Sequence, residues 1–214
     1  MVIRVVGMTE NYPAGMPAGM PADPRPGLVA AIALGRTVIQ QVGVDQLDLP
    51  TPCDEFTVAQ LAAHSLGVLQ RIVLVGQRST EWPDLVPNFY QHANYEADWK
   101  RLADGVEQAW ADDRLLGSML TLPFAEMPGA PAVGLYTGEV LVHAWDLATA
   151  VGADVAWNQE LAAATLVGSQ MGLPAEIRDD PEVPFGAVVP TADDAPAMDR
   201  LVAWLGRSPS QENS

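Results

Sequence analysis

Glu139, His143 and Asp146 fall within the nineteen residues from Val133 to Val151 (VGLYTGEVLVHAWDLATAV) and are the side chains there whose charge is at issue near neutral pH. On a helix, at about 100° per residue, Glu139 and His143 lie about 40° apart and Asp146 about 20° from Glu139 on its other side. All three therefore share one face. A helix apolar on every other side is buried, and a buried carboxylate and imidazole need partners in the interior. A metal ion is the simplest one, held by a Glu-x-x-x-His pair one turn apart with further ligands from elsewhere in the chain.

The chain has three histidines, His64, His92 and His143. His64 lies on the apolar line Leu61, His64, Val68, Ile72 of a second helical segment and is expected to point inward. If the two helices are neighbours, His64, Glu139 and His143 converge as two imidazoles and a carboxylate. That set suits zinc with an open coordination position, and also nickel or ferrous iron. Asp146 is then the acceptor that orients a ligand imidazole through its other ring nitrogen. A plainer reading uses the same residues: His64 is a core histidine paired to Glu139, and His143 and Asp146 form an ordinary buried polar pair. His92, in the polar run NFYQHAN, is expected to face solvent. Cys53 is placed by a rigid helix on the order of 10 Å or more before His64 and reads as a packed thiol. No G-x-S-x-G elbow, P-loop or G-x-G-x-x-G after a strand is present.

The elements that must position these residues are helical. GLVAAIALGRTVIQQV, from Gly27 to Val42, carries an apolar stripe from Leu28 to Val42 and stops at Gly43. Thr57-Val58-Ala59-Gln60 matches a capping box opening a helix to about Gln77. Asn94 caps a third, bearing Trp99, Leu102, Val106 and Trp110. Pro123, Pro128, Gly129 and Pro131 break the chain before Val133 to Val151, which Gly152 ends. A fifth helix is expected at Asn158 to Met171, a short strand at Ala187 to Val189, and a last helix at Ala195 to Leu205. The class is all-α: a four-helix bundle with long connections and a short, mostly irregular and helical C-terminal extension. The expected divisions are a flexible arm over 1–26, rich in Pro, Gly and Met, the bundle with its metal site over 27–174, and the extension over 175–214.

Eleven Lys and Arg stand against 27 Asp and Glu, a formal net charge of −16, which repels a phosphate backbone or an anionic membrane surface. One cysteine excludes an intramolecular disulfide and fits a reducing cytoplasm. No secretion signal is read.

Three runs in order, TPCDEFTVAQLAAH (Thr51 to His64), GEVLVHAWDLATAVG (Gly138 to Gly152) and FGAVVPTADDAPAMDRLVAWLGR (Phe185 to Arg207), resemble the actinobacterial metal-binding proteins related to mycothiol-dependent maleylpyruvate isomerase, within the DinB/YfiT-like helical bundles. The resemblance implies metal ligands at His64, Glu139 and His143. Phe56 stands where such relatives usually carry Trp. The isomerase has a larger mixed α/β C-terminal domain than the roughly 40 residues that follow the fifth helix here, so what carries over is the metal site.

The resemblance implies a divalent-metal protein like mycothiol-dependent isomerases and thiol transferases, in which the ion activates a low-molecular-weight thiol at its open position. The alternative is a non-catalytic metal- or ligand-binding stress-response module. Mycothiol is the thiol implied. The expected partners are a small-molecule thiol and an electrophilic substrate, with neither nucleic acid nor membrane, and a homodimer is compatible with the sequence.

Overall fold

The computed structural model describes residues 22–54, 56–82, 94–178 and 186–209. His92 and all but the end of the expected N-terminal arm lie outside them. The described chain is all-α in character, with helices α1 (Arg25–Ile39), α2 (Val58–Gly76), α3 (Tyr95–Ala109), a short α4 (Arg114–Gly117), α5 (Gly129–Val151), α6 (Gln159–Gly172) and α7 (Ala197–Trp204). It divides into two compact units, one spanning Asp23–Leu122 with Glu126–Ala156, the other containing Trp157 onward with Pro123–Ala125.

In the first unit α5 packs on α1 and α2, while α3 packs on α2 and α1, so the four long helices close a ring around the core. Leu28, Leu61, Leu69, Ile72, Trp99, Leu102, Leu141 and Leu147 fill it. Local chemistry sets the helix starts. The Thr57 hydroxyl accepts from the Gln60 N–H at 3.4 Å while the Gln60 amide oxygen accepts from the Thr57 N–H at 2.9 Å, and Asn94 accepts from Ala97 at 3.0 Å. Two indoles tie the ring across its seams. Trp99 donates to the Ile32 carbonyl at 3.0 Å and Trp110 to the Ile72 carbonyl at 2.9 Å.

Three expectations change. The helix bearing Glu139 begins at Gly129, not Val133, because Pro131 sits in its first turn, where the missing N–H would have no intrahelical acceptor. Residues 187–189 form no strand; the Val189 N–H donates instead to the Ala203 carbonyl at 2.9 Å. A hairpin absent from the sequence reading pairs Met119–Thr121 antiparallel with Glu126–Pro128.

In the second unit α6 packs on α7. The Gln159 side-chain oxygen accepts from the Met198 N–H at 3.1 Å, and Trp204 donates to the Leu173 carbonyl at 3.1 Å. The compact unit holding the C-terminal residues thus takes in the fifth long helix, and its boundary falls after Ala156.

α2 is long and apolar enough to cross a bilayer by length and composition, yet 72% of that stretch is buried inside the protein. Its apolar surface is used by the bundle.

Candidate metal centre

The site lies on the seam between α2 and α5. His64, in the middle of α2, brings its Nε2 to 3.7 Å from Oε1 of Glu139. The rings of His64 and His143 meet edge to face with centroids 5.0 Å apart. One potential ligand atom from each of His64, Glu139 and His143 lies within 4.8 Å of the others. All three side chains are mostly buried, with 17%, 23% and 13% of their side-chain surface exposed. The cluster is reachable from solvent without lying in it.

Asp146, one turn beyond His143 and fully buried, places Oδ2 3.2 Å from Nδ1 of His143. With Nδ1–H donated to that carboxylate, Nε2 is the nitrogen left with a lone pair for another partner. Phe56 stacks on His64 with centroids 5.0 Å apart and an interplanar angle of 25°.

Burial is the largest influence on both ionisable partners of the seam, with different outcomes. It pushes the His64 imidazole below its ordinary value against the pull of Glu139, so the ring is neutral and able to donate a lone pair near pH 7. For Glu139, burial alone would raise the carboxyl, but the Arg71 guanidinium and the close approach of the His64 and His143 imidazoles hold it at about 2. A neutral imidazole beside an ionised carboxylate is the protonation state a divalent ion requires.

Two surroundings of the site were not read from the sequence. Arg71 leans on the same Oε1 of Glu139 at 3.5 Å, with 25% of its side chain exposed. It lies seven residues after His64, hence on the same face of α2, and that spacing would have found it. Cys53 corrects an expectation. Its sulfur lies within 4.8 Å of ligand atoms of His143 and Asp146, because the segment from Pro50 to Thr57 folds back beside the helix start and does not continue its axis. Thr51 fixes that fold: its hydroxyl reaches the carbonyls of Cys53 and Phe56 at 3.0 and 2.9 Å and accepts from the Cys53 N–H at 3.2 Å.

A closed helical bundle with two histidines and a glutamate gathered on one seam defines a class of protein built to present a small polar site inside an apolar frame. Residues 28–148 match the mycothiol maleylpyruvate isomerase N-terminal domain family, and the chain belongs to that family, with its all-α DinB-like bundle. The match takes in the first of the three runs quoted above and all but the last four residues of the second; the third lies beyond it. The chain is also 32% identical over 171 residues to an uncharacterized protein of Mycobacterium tuberculosis, Rv0738 in strain H37Rv, covering 80% of this chain and 90% of that one, and equally to its counterpart in strain CDC 1551. No solved structure gives a significant match.

Proposed function

We propose that this protein binds a divalent metal ion, zinc by preference, through His64, Glu139 and His143, and uses it in the cytoplasm to activate a low-molecular-weight thiol, mycothiol in the family's chemistry, toward an electrophilic substrate. The observation that carries the reading is the convergence of two imidazoles and one carboxylate within 4.8 Å on a partly accessible seam. That donor set is one zinc adopts in catalytic sites that keep an open position, and nickel or ferrous iron are compatible with it.

Bound there, the ion would supply Lewis acidity and lower the pKa of a thiol at its open position. The chain's own residues do the rest. His64 and Glu139 stand ready in neutral and ionised form, so little proton release is needed on loading. Asp146 selects the His143 tautomer and fixes the ring plane. Phe56 stacks on the His64 ring and restrains it.

A second reading is favoured by the place of Cys53. Its sulfur gathers with His143 and Asp146 in a group of potential ligands that shares only His143 with the first, and movement of Cys53 onto the ion would close the site and make the protein a binding module with a structural ion.

Cobalt(II) substitution separates the two. In the open site a sulfur-to-cobalt charge-transfer band arises only when thiol is added; in the closed site it is present without thiol and vanishes in Cys53→Ser. Failure of protein purified without chelator to hold or take up zinc, nickel, iron or cobalt would reject both.

A further inference from the structure

We propose that Arg71 and Tyr136 form a subsite beside the metal centre that binds an anionic oxygen, such as a carboxylate, of the molecule held there.

The antiparallel course of α2 and α5 sets up the arrangement. His64 and His143 meet at one level; Arg71, two turns further along α2, touches Glu139, which lies one turn back along α5. Tyr136 is seven residues before His143, about 10 Å along the helix and within about 20° of it in direction. Arg71 and Tyr136 therefore flank the same end of the polar seam.

Charge supplies the first argument. Arg71 and His64 both approach Oε1 of Glu139, at 3.5 and 3.7 Å, so the guanidinium leans on the oxygen that faces the ligand imidazole. A divalent ion at that oxygen would bring its two charges beside the guanidinium, and the carboxylates of Glu139 and Asp146 offset only two of the three. One positive charge is left for an incoming anion. This local excess runs against the −16 of the whole chain, so it acts only on a group already seated in the site. Arg71, with a quarter of its side chain exposed, can turn its planar fork toward such a group.

Tyr136 supplies the second. The residue is completely buried and its hydroxyl has no hydrogen-bond partner among the described residues. Burial of an unmet hydroxyl is unfavourable, and an oxygen acceptor would remove that cost. Its pKa is raised, first by burial and then by the charge of Glu139, with Arg71 pulling the other way, which keeps the proton available for donation and puts the phenol within electrostatic reach of both residues. The subsite adds specificity to the thiol activation proposed above and rests on that reading for the charge of the ion and for which molecule carries the oxygen.

The test uses the full-length protein loaded with cobalt(II) and three probes: N-acetylcysteine, N-acetylcysteamine, which has the same thiol without the carboxylate, and acetate. If the carboxylate belongs to the thiol, wild type binds N-acetylcysteine about tenfold more tightly than N-acetylcysteamine, the worth of one charge-assisted hydrogen bond. If it belongs to the electrophile, acetate binds to the cobalt protein already carrying N-acetylcysteamine. In either case, compared at matched cobalt occupancy, Arg71→Met abolishes the carboxylate effect and Tyr136→Phe cuts it at least threefold. Equal affinity for the two thiols together with no acetate binding in wild type, or a carboxylate effect unchanged in Arg71→Met, overturns the subsite. Absence of a sulfur band with either thiol overturns the thiol reading instead, and acetate binding to the cobalt protein, retained by wild type and lost in Arg71→Met, then still supports the subsite.

Discussion

Oδ2 of Asp146 lies 3.2 Å from Nδ1 of His143 at a position with no solvent exposure, so a buried carboxylate sets the tautomer of an imidazole in the candidate metal centre. Replacing Asp146 by Asn keeps the shape and removes the charge. The expected result is a zinc affinity about 10- to 100-fold weaker with the helical content unchanged, read by competition against a chromophoric chelator. Wild-type affinity in Asp146→Asn would leave that carboxylate a purely structural role.

Metal should also be linked to stability. An ion that binds only the assembled seam stabilises it by about 2.7 kcal/mol at a hundredfold excess over its Kd, which raises the melting temperature by roughly 5–10 °C for a chain of this size. Calorimetry with zinc and then with chelator should show the rise and its reversal in wild type and neither in His143→Ala. An equal rise in both would place the ion elsewhere.

For the chelated protein the pKa shifts set the sign of the pH dependence. His64 and Glu139 both hold protons less readily when folded than when unfolded, so the unfolded chain takes up more protons and stability falls with falling pH. The loss begins as pH drops below the ordinary 6.5 of His64 and deepens between 4.5 and about 2 as Glu139 is forced toward its protonated form. Urea midpoints between pH 7.5 and 5.5 should decline less steeply in His64→Gln than in wild type. Identical slopes would mean that burial of this ring is not felt by folding.

Gly35 offers a test of the frame. A Cβ there would overlap the ring of Trp99, which its hydrogen bond to the Ile32 carbonyl holds in place. Alanine is the better helix former by about 1 kcal/mol, but the overlap should win, and Gly35→Ala should destabilise by about 1–3 kcal/mol in chemical denaturation. A variant as stable as wild type would show that the indole has room to move.

Much of this architecture is legible in residue order because it depends on local chemistry. The capping box at Thr57, the cap at Asn94 and the left-handed Gly152 that ends α5 are short-range devices, and their spacing survives folding intact. The shared face of Glu139, His143 and Asp146 follows from helical periodicity alone. Cys53 was misplaced because the path of an irregular segment is set by contacts such as the Thr51 hydroxyl on two carbonyls, which no periodicity encodes. Pro131 misled in the opposite way: a helix-breaking residue type stands where a first turn tolerates it. Arg71 and Tyr136 were not singled out from the sequence. Their meaning appeared only once the antiparallel course of α2 and α5 set them at the same end of the seam.

The turn from Pro50 to Thr57 is closed by its own hydrogen bonds, through Thr51 and through the bridge between Pro50 and Thr57. It delivers Phe56 and Cys53 to the histidines while contributing neither His64 nor Glu139 nor His143. The lining of the candidate site and its three converging side chains thus stand on separate pieces of chain, so a substitution at Phe56 or Cys53 changes the surroundings of the histidines without touching a helix residue.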